Sequence, residues 1–388
     1  MKICVISNLY EPFARGGAEK VAKAMAEGYA AQGHEVSVIS TRPTPGIEIE
    51  RKNNLTICRF KPMNLFYYLD DYKHAAPIRL LWHALDTFNW HSYFTVKKLL
   101  KELQPEIVIT HNLKGIGYLL PRLIKQLGIK HCHVLHDVQL SVPSGLIIKG
   151  KENGFVVAGF LTRIYEKICR DLFGSPEIIV SPSNWLLRFY SAKGFFPKSK
   201  QVVLRNPLLT AIPEIANQLR QKNYRYLFIG QLEIHKGIQW LADLWAKNKL
   251  LADLWVAGSG SLATEKISSA GNIKFLGRLN ESQLIEVLKQ VDFLIVPSLC
   301  YENSPTVIQL AFACGIPVVA ANIGGAGELV EVGKRGFLFE AGNEVSFLRA
   351  LNEAVAVNVE KYREMQVACL EASKEFALQK YLEDLMKL

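Results

Sequence analysis

Nowhere in these 388 residues do two cysteines stand as Cys-x-x-Cys, and their total, seven, is odd. Single thiols at 4, 58, 132, 169, 300, 314 and 369, mostly inside apolar stretches, fit a reducing cytosol better than the disulfide framework of a secreted domain. No apolar run approaches the eighteen or so residues of a membrane span, and the oily patch Gly154–Leu161 is far shorter. The opening MKICVISNLYEP has too short an apolar run for a signal peptide and reads as a first strand. A cytoplasmic location is therefore expected. No spaced Asp-x-Asp follows an apolar strand, and Asp70-Asp71 is an adjacent pair in an aromatic loop, so no metal and no cofactor are expected. The first strand is not followed by G-x-G-x-x-G, and the second ends Ile39-Ser40-Thr41-Arg42 with no acid, which argues against a dinucleotide-dependent oxidoreductase. No nucleic-acid motif is present, and no nucleic-acid partner is expected.

What is present suits two domains, since a chain of this length exceeds one hydrophobic core. Apolar strands are expected at 2–7, 35–40, 56–60, 107–110, 131–135, 178–181 and 201–204, with an Ala-rich helix from Gly17 to Gln32 between the first two. This β-α-β rhythm predicts a parallel sheet covered on both faces. Arg205-Asn206-Pro207 and the polar stretch to Tyr224 read as a linker, and the rhythm restarts with strands at 226–229, 253–257, 273–276, 293–296, 318–320 and 336–339. The expected fold class is α/β: two Rossmann-like domains, 1–205 and 206–370, with their carboxyl edges facing each other across a cleft. The whole +10 surplus of charge lies in the first half, where residues 1–205 hold 28 Lys and Arg against 16 Asp and Glu. A solvated surface accounts for that as well as an anionic membrane or a phosphate-bearing partner does. Ten aromatics crowd residues 60–94, as helix packing or as rings for sugars or a membrane interface.

Four places carry chemistry. The segment Asp292–Gly325 reads as strand, loop, helix and strand, with one carboxylate, Glu302, at the first strand's carboxyl end. Ligands of open α/β sheets bind at such ends, and free N–H groups at a helix start bind anions. Gly16-Gly17 opens the first helix and lets the backbone approach an anion, although many tight turns carry such a pair. Lys236, in Gly230-Gln231-Leu232-Glu233-Ile234-His235-Lys236-Gly237, is placed as a phosphate ligand or as a solvated surface lysine. His111-Asn112 and His136-Asp137 end two consecutive strands, where imidazoles are poor packing residues.

The Asp292–Gly325 segment, with the glycine loops, resembles retaining glycosyltransferases of family 4, which have the GT-B fold. The resemblance implies transfer of a sugar from a nucleotide diphosphate sugar, with a UDP-sugar such as UDP-glucose the best guess, to a hydroxyl of a glycan or lipid-linked acceptor, without a metal. It implies catalytic roles for His136, Glu302 and Lys236. Glu302 would hold sugar hydroxyls, and the amides of Asn303, Ser304, Thr306 and Val307 would hold sugar and phosphate. Gly16 and Gly17 would close over the donor phosphates. Gly258 would lie beside the nucleotide, and the backbone of Arg278 and Leu279 would read the base edge. His111, Asn112 and Asp137 would line the acceptor side. A final helix, 371–388, would return to the first domain. Two positions depart from the pattern: Gln231 stands where an arginine is usual, and Leu310 where a second glutamate clasps the ribose. They keep open a non-catalytic sugar-nucleotide-binding protein of the same fold. Peripheral association with the inner face of an anionic membrane is a further expectation, from the basic half, the aromatics and the stretch Leu146–Leu161.

Overall fold

A computed structural model describes residues 1–14, 16–209, 224–250, 252–262, 267 and 271–388. Most of the expected linker (210–223), and Arg15 of the first glycine loop, lie outside the described residues. The strands are β1 (Lys2–Ile6), β2 (Glu35–Thr41), β3 (Ile47–Lys52), β4 (Leu55–Phe60), β5 (Ile107–Thr110), β6 (Lys130–Val134), β7 (Ile178–Ser181), β8 (Lys200–Val203), β9 (Arg225–Ile229), β10 (Asp253–Ala257), β11 (Ile273–Gly277), β12 (Phe293–Val296), β13 (Val318–Ala321) and β14 (Gly336–Phe339).

The first sheet has eight strands in the order β3-β4-β2-β1-β5-β6-β7-β8. All its pairings are parallel except β3 with β4. The second sheet has six parallel strands ordered β11-β10-β9-β12-β13-β14. Strands such as β1, β5, β12 and β13 are almost wholly apolar, as a sheet covered on both faces requires. One core forms on Val5, Met25, Tyr29, Val38, Ile109 and Val180, and another on Phe228, Trp245, Val256, Phe293, Val319 and Phe347. All seven cysteines are buried and unpaired. No helix among the described residues is long and apolar enough to cross a membrane.

Two compact units result. The first comprises Met1–Gly145, Ala158–Leu209 and Leu378–Leu388; the second comprises Leu146–Val157 and Thr210–Ala377. Three boundaries differ from those expected. Leu146–Val157 leaves the first domain because its backbone pairs with the loop after β12: Lys149 N–H donates to Leu299 O at 2.9 Å and Tyr301 N–H to Ile147 O at 3.0 Å. Lys149 Nζ pins the strap further through Glu340 at 2.7 Å. At the end of the chain, residues 371–377 stay with the second unit. They are the end of the Val359–Ser373 helix and a 3-10 turn, Lys374–Phe376, that follows it, and the helix is anchored by Tyr362 Oη donating to Asp292 O at 2.5 Å. The return therefore starts at Leu378, and Tyr29 Oη donates to Leu382 O at 3.1 Å in the first unit. Residues 206–209, given to the second domain from sequence, belong to the first unit.

Candidate active site

In each sheet the strand order reverses at one place, β1/β5 in the first and β9/β12 in the second. Crevices outside the carboxyl ends of the strands at such reversals are where open α/β sheets bind ligands. The candidate residues gather at both.

In the second unit β9 runs into Gly230 and β12 into Pro297 and Ser298. A 3-10 turn, Ile234–Lys236, then leads into the Ile238–Lys247 helix. Gly237 makes that corner at φ +77, and a Cβ there would lie 1.9 Å from Pro297 O. The two strand ends therefore touch through a glycine, which brings Lys236 beside the β12 loop. Lys236 Nζ meets Glu302 Oε1 at 2.5 Å, and Ser298 Oγ donates to the same oxygen at 2.9 Å. Burial alone would lower the lysine's pKa, but the charge and hydrogen bond of Glu302 outweigh it, so the net direction is upward. Both side chains keep an exposed edge, 25% and 17%. The backbone of Glu302 is clamped from behind: Gly325 N–H donates to its carbonyl at 2.6 Å, and a Cβ on Gly324 would lie 2.3 Å from that oxygen.

The Thr306–Ala313 helix has Pro305 as its N-cap and receives no side-chain hydrogen bond from it. Its first-turn N–H groups are the anion-seeking kind. Asn303 is half-buried, Ser304 and Leu310 are buried, Thr306 is exposed and Val307 half-buried. Leu310 sits one turn beyond Thr306 on the same helix face.

The next strand ends are laced by backbone bonds. Gly230 N–H donates to Ala257 O at 3.1 Å and Gly258 N–H to Gly277 O at 2.8 Å. A Cβ on Gly258 would fall 1.8 Å from Gly230 O, which only glycine permits. Gln231 and Arg278 are exposed on this edge and Leu279 half-buried. Glu233 accepts from Ser261 N–H at 2.8 Å and Ser261 Oγ at 2.6 Å, and these bonds lower its pKa.

In the first unit Asn8 ties three strand ends together. Its N–H donates to Asn112 O at 2.9 Å, its Nδ2 to Lys114 O at 2.7 Å, and its carbonyl accepts Thr41 Oγ1 at 2.6 Å. The loop that follows ends at Gly16, whose N–H donates to Glu19 at 2.8 Å; Gly16 and Gly17 are exposed. At the ends of β5 and β6, His111 Nδ1 and His136 Nε2 are 2.8 Å apart with stacked rings. Burial lowers His136 to about 4 and holds His111 well below its ordinary value, so both rings are neutral near pH 7. His111 Nε2 is buried, with no hydrogen-bond partner among the described residues. Asp137 is half-buried, accepts Gln139 N–H at 2.7 Å, and is raised to about 6 by burial. His111, Asn112, His136 and Asp137 line a cavity of about 20 Å³, room for about one water.

The fold thus joins Lys236 to Glu302, and His111 to His136, while Gly16-Gly17 and Arg278-Leu279 occupy separate strand-end loops. Sequence reasoning missed Asn8, Ser298, Glu233 and the strap at 146–157. Asn8 and Ser298 end their strands as His111 and Glu302 do, which was a usable signal. The strap has no periodicity to betray its pairing.

Two parallel-rich α/β sheets, each reversing its strand order once, make two Rossmann-like domains, the architecture of the GT-B fold. Residues 15–208 match the model of Glycosyltransferase Family 4, and residues 223–356 that of Glycosyl transferases group 1. The chain belongs to glycosyltransferase family 4. It is 25% identical over 338 residues to an uncharacterized 42.6 kDa protein in the cps region of Klebsiella pneumoniae, covering 86% of this chain and 88% of the relative. It is 26% identical over 310 residues to the Escherichia coli UDP-Gal:alpha-D-GlcNAc-diphosphoundecaprenol alpha-1,3-galactosyltransferase, covering 73% and 75%. Anabaena HepE in complex with UDP superposes with a TM-score of 0.70 at 18% identity, covering 100% of this chain and 99% of the other.

Proposed function

We propose that this glycosyltransferase takes a hexose from a nucleotide diphosphate sugar, UDP-glucose or a related UDP-sugar, and transfers it with retention to a hydroxyl of a glycan or lipid-linked acceptor in the cytoplasm. The observation that carries this reading is the Lys236–Glu302 contact at the β9/β12 reversal, beside a helix start whose N-cap, Pro305, makes no side-chain cap bond. A diphosphate competes for Lys236 and draws its ammonium off the carboxylate. Glu302 is then free to accept sugar hydroxyls. The names of the E. coli relative and of the Anabaena complex support a UDP-sugar donor, and the former supports a lipid-linked acceptor.

The bond from C1 of the sugar to the leaving phosphate oxygen breaks as the acceptor oxygen bonds C1 on the same face. The acceptor's proton passes to the leaving phosphate. Negative charge grows on the diphosphate, where Lys236 and the amides of Thr306 and Val307 meet it without a proposed metal. Gly16, Gly17, Gly258, Arg278 and Leu279 complete the proposed donor contacts. His136, being neutral, serves the sugar as a hydrogen-bonding group and not as a cation. His111, Asn112 and Asp137 are assigned to the acceptor. Leu310 forgoes one ribose contact, worth about 1.5–3 kcal/mol if charge-assisted, and Gln231 brings no charge. Nucleotide affinity therefore leans on Lys236.

Lys236→Ala should weaken UDP binding by about 1.5–3 kcal/mol, roughly 10- to 150-fold, in a calorimetric titration. Unchanged UDP affinity would remove the donor from this strand edge.

A further inference from the structure

The Ala76–Thr87 helix of the first unit turns an apolar stripe outward. Ile78, Leu81, Leu85 and Phe88 recur at helical spacing, and all are between 44% and 55% exposed. The helix buries Trp82, Asp86 and Thr87 instead. Asn89 then caps the Trp90–Leu103 helix, which adds Trp90 and Phe94, 57% and 61% exposed, with ring centroids 6.2 Å apart. Scattered exposed leucines are ordinary, but six large apolar side chains within seventeen residues form a patch that calls for a partner.

Charge selects that partner. From Lys73 to Lys101 the sequence holds five cations and one acid, Asp86, which is buried. Lys73 pairs with Asp70 and Lys98 lies 3.9 Å from Glu102, while Arg79, Lys97 and Lys101 have no ion pair among the described residues. A second copy would bring the same cations against these, because a two-fold contact sets a surface on itself. An anionic bilayer offers the opposite charge at its surface and an apolar interior just beneath, and tryptophan and other aromatics favour that boundary. We infer that the outward face of the Ala76–Thr87 helix, with Trp90 and Phe94, is a docking surface for an anionic lipid bilayer, with Arg79, Lys97 and Lys101 as its charged rim.

The surface stands independently of the donor-site reading, and UDP titration of the same proteins keeps the two separable. Co-sedimentation of the full chain with vesicles of phosphatidylcholine alone, or with added phosphatidylglycerol, tests it. Binding should require the anionic lipid and fade as salt shortens the screening length to about 8 Å near physiological strength. The double variant Leu81→Gln/Leu85→Gln, both positions being exposed, should fold and bind UDP like the parent. It should lose vesicle affinity by roughly tenfold or more, the scale set by withdrawing two leucine side chains from an apolar phase. Arg79→Glu/Lys97→Glu should lose the dependence on anionic lipid. Parental vesicle binding by the leucine variant, binding indifferent to lipid charge, or no binding at low salt would overturn the assignment. So would a concentration-dependent dimer, seen by sedimentation velocity, that the leucine substitutions abolish.

Discussion

A lysine and a glutamate that touch at the β9/β12 reversal do not lose the same things when mutated. Glu302 shares Oε1 with Lys236 and Ser298, so it competes with any phosphate for the ammonium. Glu302→Gln keeps the shape but drops the charge. Lys236 then has a weaker partner to leave, and UDP should bind at least as well as to the parent. Turnover should fall by about two orders of magnitude, because a charge-assisted bond to the transferring sugar is lost where it counts about 1.5–3 kcal/mol. Calorimetry with UDP beside a transfer assay reads both. A parallel loss of UDP affinity and of turnover would mean that Glu302 acts on the nucleotide and not on the sugar.

At the scale of elements, glycines at strand ends decide how closely the β9 and β12 loops approach. Gly237 combines φ +77 with a Cβ position 1.9 Å from Pro297 O, so an alanine must move backbone and not a flexible side chain. Gly237→Ala should lower thermal stability by about 1–3 kcal/mol and separate Lys236 from Glu302, with UDP affinity falling alongside. An alanine variant with parental melting and parental affinity would show that the corner tolerates a Cβ. Much of this was legible beforehand. The strands carrying the candidate residues are continuous apolar runs, and β5, β7, β10, β12 and β14 fall where periodicity put them. The strand β3 escaped notice because IEIERK is an edge strand with polar residues and exposed isoleucines, turned by Asn53 at φ 49. The strap at 146–157 escaped because its pairing is with residues about 150 positions away, which no local pattern encodes. At the site, Glu302, Lys236 and the two histidines could be placed at strand ends, but the contacts between them depend on sheet order, which sequence does not print.

The molecule as a whole concentrates its buried ionisable groups in the first unit, and they set opposing slopes in stability. His111 and His136 are held neutral by burial, so lowering the pH below about 6.5 protonates the unfolded chain first and costs stability down to about 4. Carboxyls work the other way. Asp86 is raised by burial from 3.8 to about 7, against the pull of Gly115 N–H at 2.7 Å and of Lys114. Its other oxygen, Oδ1, is buried with no hydrogen-bond partner among the described residues. Between those two values the folded state holds a proton that the unfolded chain has lost, so stability falls as pH rises through the window and levels off above it. Asp86→Asn keeps an oxygen for Gly115 N–H and cannot ionise. The variant's stability relative to the parent should rise between pH 5 and pH 8 by on the order of 2 kcal/mol, a discounted fraction of what so large a displacement implies. Melting temperatures of both proteins at the two pH values, in the same salt, measure the difference. If parent and variant lose stability equally between pH 5 and pH 8, the slope belongs to another group, with Asp137, raised to about 6, next in line.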